Sequence, residues 1–204
     1  MVVGIGNPGV EYEQTRHNVG FMVLDRLAAR MGLHFARLDR RELGFSGKAK
    51  AQIAFGGRDG ATPFVLVKPL TYVNLSGQAV GPFLRAHELP PESLFVVVDD
   101  LNLPLGRIRI RPAGRSGGHN GLQSIQDALT TAEYPRLRLG IGHASADQWA
   151  DHVLGAFSEE EREVLGSVLE RATDAVSEWL GGASLQSLME RHNGGGRVDL
   201  EEDL

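Results

Sequence analysis

The run "SLFVVVDD" (93–100) restricts the fold of this chain more than any other stretch. A short, unbroken apolar segment rich in valine reads as a central strand of a sheet, and it stops abruptly at Asp99 and Asp100. The segments around it alternate in type. "VVGI" is a short buried strand. "FMVLDRLAARM" (21–31) sets Phe21, Leu24, Leu27, Ala28 and Met31 on one helical face, with Asn18 as cap and Gly32 as stop. "KAKAQIAF" and "PFVLVKP", joined by "GGRDG", read as a hairpin. Residues 74–89 form a helix opened by Asn74 or Ser76, and "RIRIR" (107–111) alternates with period two, so its arginines share one strand face. A helix follows Asn120, then the strand "LRLGIG" (137–142), then helices over 158–180 and 184–192. This order predicts one α/β domain over 1–192, a twisted mixed sheet flanked by helices, followed by a flexible acidic tail over 193–204.

Composition narrows the chemistry. The 204 residues suit a single domain with a sizeable core. Without cysteine, disulfides, thiolate catalysis and Cys-based zinc sites are excluded. No apolar run reaches membrane-spanning length and no charged leader opens the chain, so the expectation is a cytoplasmic protein with no membrane partner. The net charge of −5 hides a split: residues 158–204 hold 12 acidic and 4 basic side chains, residues 1–157 hold 14 and 17. A mildly basic body is compatible with a nucleic-acid partner.

Two motifs imitate known chemistry. "GIGNPG" (4–9) matches G-x-G-x-x-G, but a dinucleotide loop needs a helix to begin within the glycines, and "VEYEQTRHN" lacks helical spacing. The acidic partner would fall near Asp25, inside a predicted helix rather than at a strand end. "GRSGG" (114–118) matches the nucleophile elbow, with Asp127, Asp147 or Asp151 and His152 or His192 as nominal partners for Ser116. Pro112 and Ala113 separate it from the strand, whereas an elbow turns directly at the strand end.

A third group does converge. Strand ends in an α/β sheet line up along one edge, where ligands bind. Asn7 follows the first strand, "PLTYVN" (69–74) another, and Asp99 ends the central one; His17 and "GGHNG" (117–121) each precede a helix. The edge is expected to hold one histidine, one aspartate and several asparagines, with no lysine and no metal-ligand spacing. A histidine beside a carboxylate is a general base with an orienting partner, and asparagines offer neutral donors and acceptors to a carbonyl or oxyanion. That equipment suits direct attack of water on an ester or amide. Taken singly, each asparagine is more often a cap or turn residue and His17 a surface loop histidine.

In "VGIGNPGVEYEQTRHNVGFMVLDRLA", "KPLTYVNLSGQAV", "VVVDDLNLPLGRIRIR", "GGHNGLQSI", "RLRLGIG" and "VLGAFSEEE" the sequence resembles bacterial-type peptidyl-tRNA hydrolase, block after block in order. The resemblance implies hydrolysis of the ester joining a peptide to the terminal ribose of tRNA, with no metal, no cofactor and no covalent intermediate, by a monomer. It implies that His17 is the general base and that Asp99 holds its basic form. Asn7 would distinguish N-blocked substrates from free aminoacyl-tRNA, Asn74 and Asn120 would bind the peptide–ribose junction, and Tyr12 and Tyr72 would contact substrate. Arg111 and Arg138 would grip the 5′-phosphate end of the tRNA.

The chain departs from the family pattern at Val73, where methionine is usual, at Val98 (often histidine), at Asn102 (often aspartate) and at Ala144 (often proline). None of these removes a proposed catalytic group. Two other readings are a binding protein that kept the fold and lost hydrolysis, and a serine hydrolase acting through Ser116.

Overall fold

The valine-rich run does occupy the middle of a sheet. The computed structural model describes residues 1–38, 51–57, 62–145 and 147–194, and within them seven strands form one mixed sheet. These are β1 (Val2–Gly4), β2 (Ala36–Leu38), β3 (Ala51–Gly56), β4 (Phe64–Pro69), β5 (Phe95–Asp100), β6 (Ile108–Arg111) and β7 (Arg136–Gly140), ordered β2-β3-β4-β1-β5-β7-β6. The central four, β4, β1, β5 and β7, run parallel, and the antiparallel strands β2, β3 and β6 lie outside them. The helices are α1 (Val19–Arg30), α2 (Gly77–Ala86), α3 (Asn120–Leu129), α4 (Trp149–Leu154), α5 (Glu159–Leu180) and α6 (Leu185–His192).

Alternation along the strands divides the core in two. Val2, Phe95 and Val97 pack with apolar residues of α1, α5 and α6, whereas Val3, Val96 and Val98 pack with those of α2 and α3. Burial on both faces explains why β5 reads as a continuous apolar run rather than an alternating one.

The glycines of "GIGNPG" serve close packing. A Cβ on Gly4 would lie 2.4 Å from the Gly20 carbonyl oxygen, and one on Gly20 would lie 2.5 Å from Ile5 N and from the Val97 carbonyl oxygen. The start of α1 therefore rests backbone to backbone on β1 and β5, which holds the preceding turn against the end of β5. That contact accounts for Gly4, whereas a Cβ on Gly6 would lie 2.9 Å from the Phe21 ring and Gly9 sits at φ +126°. Pro8 and Gly9 lead into a 3-10 turn (Val10–Tyr12) and no helix begins there.

Some local expectations hold and others change. Gly32, at φ +64°, stops α1, and Leu33 N donates back to the Ala28 carbonyl at 2.8 Å. Asn18 precedes α1 but its side chain does not cap it: Oδ1 accepts from Asn7 N at 2.8 Å and Nδ2 donates to the Asn7 carbonyl at 3.0 Å. The helix expected from Asn74 begins at Gly77 after a 3-10 turn (Val73–Leu75), and neither Asn74 nor Ser76 caps it. The hairpin strands pair as expected, while "GGRDG" falls mostly, and the acidic tail beyond Gly194 wholly, outside the described residues. β2 and α4 were not expected. α5 opens on a capping box, in which Ser158 Oγ accepts from Glu161 N and Glu161 accepts from Ser158 N. At the outer strand β6, the Asn193 side chain accepts from Ile110 N at 2.6 Å and donates to the Ile110 carbonyl at 3.0 Å.

Candidate active site

The parallel strands deliver their C-terminal ends to one edge, and β5 ends there in Asp99, which is 1% exposed. The 3-10 turn Arg16–Asn18, held down by α1, brings His17 Nδ1 to 2.8 Å from Asp99 Oδ1. Arg16 fixes the turn from the other side. Its guanidinium stacks on Phe157, donates to the Ala156 carbonyl at 2.7 Å and pairs with Glu161 at 2.6 Å. The start of α3 brings in a second ring, with His119 Nε2 3.0 Å from the same oxygen of Asp99. His119, Asn120 and Arg138 line a cleft of about 260 Å³ together with His17 and Asp99.

The hydrogen-bond pattern assigns the tautomers. His119 Nδ1 accepts from Gly121 N at 3.0 Å and Leu122 N at 3.3 Å, so the ring hydrogen sits on Nε2 and points at Asp99. His17 donates from Nδ1 to Asp99, which leaves its Nε2 with a lone pair and no protein partner among the described residues. Burial disfavours charge on His17, but the Asp99 charge and hydrogen bond outweigh it and raise the imidazole pKa above its ordinary value. Burial alone would raise the Asp99 carboxyl; the His17 charge and the hydrogen bonds from both rings overcome it and hold Asp99 well below the usual carboxylate range.

His17, Asp99 and His119 also present three ligand-type atoms within 4.8 Å of one another. The donor set does not fit a divalent ion. His119 would have to release the Nε2 hydrogen that Asp99 accepts and carry one on Nδ1, facing two backbone N–H donors.

The remaining expected residues divide. Asn7 is buried in the loop after β1; its Oδ1 accepts from Val73 N at 3.0 Å, and Nδ2 has no protein partner among the described residues. Tyr72 and Asn74 are exposed on the turn after β4, and Tyr12 is half-buried on the turn after Asn7. Arg138 Nε lies 2.9 Å from Asp100 Oδ2, an ion-pair contact rather than an aligned hydrogen bond. Arg111 is exposed on β6 in a separate groove with Arg107 and Arg109. Arg136 has the expected parity but a different fate: it is 1% exposed and donates to the Gly114, Ala132 and Tyr134 carbonyls. It contributes nothing to a basic surface.

Sequence reasoning missed His119, because it expected a single histidine at this edge. The available signal was its position directly before a predicted helix, where an acceptor caps the first turn. Ser116 Oγ donates to Gln123 Oε1 at 2.9 Å, whereas His152 and His192 bond to the Ile141 carbonyl and to Glu178. Among the described residues no histidine side chain bonds the Ser116 hydroxyl, and the elbow reading loses its base.

A family model described as peptidyl-tRNA hydrolase matches residues 1–200. The peptidyl-tRNA hydrolase of Akkermansia muciniphila is 48% identical over 177 residues, 86% of this chain and 86% of that protein. That of Caldanaerobacter subterraneus subsp. tengcongensis is 41% identical over 194 residues, 95% of this chain and 99% of that one. The crystal structure of peptidyl-tRNA hydrolase from Acinetobacter baumannii matches with a TM-score of 0.85 at 33% identity, over 96% of this chain and 94% of that one. The likeness runs the length of the chain rather than over one motif, and the chain belongs to the peptidyl-tRNA hydrolase family.

Proposed function

We propose that the chain hydrolyses the ester of peptidyl-tRNA by direct attack of water, with His17 as general base and Asp99 as its orienting partner. One observation carries this reading: Asp99 accepts from His17 Nδ1 at 2.8 Å, which turns the basic Nε2 toward the cleft. Nε2 takes a proton from water as the water oxygen bonds to the ester carbonyl carbon. The tetrahedral intermediate then breaks its bond to the ribose oxygen, and the imidazolium returns the proton to that oxygen. The products are a peptide carboxylic acid and free tRNA. A buried carboxylate favours the imidazolium while it lasts.

Asn120 at the cleft wall and Asn74 on the neighbouring turn have side-chain amides with no partner among the described residues, available to the peptide–ribose junction and the developing oxyanion. Asn7 has committed its oxygen to Val73, so it presents Nδ2, a donor that suits the acyl carbonyl of an N-blocked substrate. Tyr12 and Tyr72 supply rings beside the acyl chain. The exposed Arg111 and the cleft-lining Arg138 supply charge for tRNA phosphates.

The test is cleavage of an N-acetyl-aminoacyl-tRNA. The wild-type chain should release the acyl group, and His17→Ala should lower kcat by about 10²–10⁴-fold, the usual worth of a positioned base, with tRNA affinity kept. No cleavage by the wild type would leave a binding protein, and a wild-type rate in His17→Ala would remove the mechanism.

A further inference from the structure

We infer that His119 is a positioning residue for this hydrolysis: anchored by the first turn of α3, it holds the Asp99 carboxylate and divides that carboxylate's charge with His17. The inference rests on the reading of His17 as base. Its grounds are the two ends of one ring. Nδ1 accepts from Gly121 N and Leu122 N, which fixes both the ring's orientation and the location of its hydrogen. Nε2 then donates to Asp99 Oδ1 at 3.0 Å, the same atom that accepts from His17 at 2.8 Å. The ring centroids of His17 and His119 are 5.1 Å apart, so the two donors approach that oxygen side by side.

Two consequences follow for His17. A carboxylate oxygen held by two fixed donors cannot turn away from either, so His119 maintains the aim of Asp99. Each hydrogen bond to the carboxylate also draws on its charge, so the bond to His119 reduces what Asp99 offers the His17 imidazolium. Loss of His119 therefore loosens Asp99 and makes His17 more basic. The other charged groups at the site are already engaged. Asp100 and Arg138 line the cleft as an ion pair, and Arg16 reaches away to Glu161 and the Ala156 carbonyl. His119 is the second hydrogen-bond partner of the Asp99 oxygen, and its removal changes what that carboxylate offers His17.

Side-chain length separates its two contacts. In His119→Asn, the amide oxygen takes the place of Nδ1 and keeps the cap, but the side chain stops short of Asp99. In His119→Gln, the longer amide carries an N–H to Asp99 and gives up the cap acceptor. His119→Asn should keep a Tm near wild type, raise the His17 pKa read by NMR titration by about 0.5–1 pH unit, and lower plateau kcat by about 10-fold. His119→Gln should melt lower and leave the His17 titration near its wild-type position. An unmoved His17 titration in His119→Asn, or equal shifts in both variants, would overturn the positioning role alone. A wild-type rate in His17→Ala would overturn the base reading and this role with it.

Discussion

Two polar regions lie on strands of one sheet, separated by β7, and are built in opposite ways. At the end of β5, Asp99, His17 and His119 are almost enclosed, and each polar atom that faces another is held by it. On β6, two positions along the same sheet, Arg109 and Arg111 stand exposed, with the half-buried Arg107 just before the strand. Charge in the first region is oriented and shielded from water, so small displacements change its chemistry. Charge in the second is solvated and adjustable, so it favours encounter with a polyanion and tolerates imprecise fit. Arg138 belongs to both: it sits opposite Arg109 on β7, yet it is pinned by Asp100 and lines the cleft that holds His17 and Asp99.

Changes in the enclosed region should act on kcat and its pH dependence. Asp99→Asn keeps a hydrogen-bond acceptor beside His17 and removes the charge. The loss in kcat should be about 10- to 100-fold, smaller than for His17→Ala, because the base is disturbed and not deleted. The direction of the pH effect follows from the balance at His17. Asp99 raises its pKa and burial lowers it, so only the lowering survives in the variant. The acid limb of the kcat profile should move to lower pH, opposite to the movement expected for His119→Asn. A limb that stays in place would break the contrast between the two regions.

Changes on the exposed strand should act on binding. Arg111→Ala should raise KM for full-length tRNA several-fold with kcat unchanged. It should also flatten the plot of log affinity against log salt by roughly 0.7–0.9 if one phosphate contact is lost. A minimal ester substrate lacking the tRNA body should be cleaved at the wild-type rate. Equal effects on both substrates would place Arg111 in the chemistry instead. The smallest effect belongs to Ser116→Ala. It removes one hydrogen bond to Gln123, so it should cost about 1 kcal/mol in thermal unfolding and leave kcat within about twofold. A collapse of activity would restore the serine reading.

The sequence revealed most of the fold where one residue decides one local outcome. Gly32 stops α1, and valine-rich β5 lies in the middle of the sheet. It revealed less where partners come from different elements. The parity of Arg136 and Arg138 is the same, and their fates differ because Gly114, Ala132 and Tyr134 present carbonyls to one and Asp100 presents a carboxylate to the other. Asn18 looks like a cap locally, but the loop after β1 offers it both a donor and an acceptor at Asn7. His119 was hidden for the same reason: its contact with Asp99 exists only once α3 begins beside the end of β5. Pattern identifies which face a side chain occupies; the partner on that face depends on topology.

Asn193 gives the outer strand a property that its charge does not. A peripheral strand normally leaves a row of unpaired peptide groups that can recruit a strand from another molecule. By pairing with both peptide groups of Ile110, the Asn193 amide acts as a one-residue neighbour and closes that point on the row. Asn193 also borders the groove that holds Arg107, Arg109 and Arg111. At that point the outer strand is thus obstructed to a ligand that reads the main chain, such as a second polypeptide strand, while the arginine side chains beside it stay exposed.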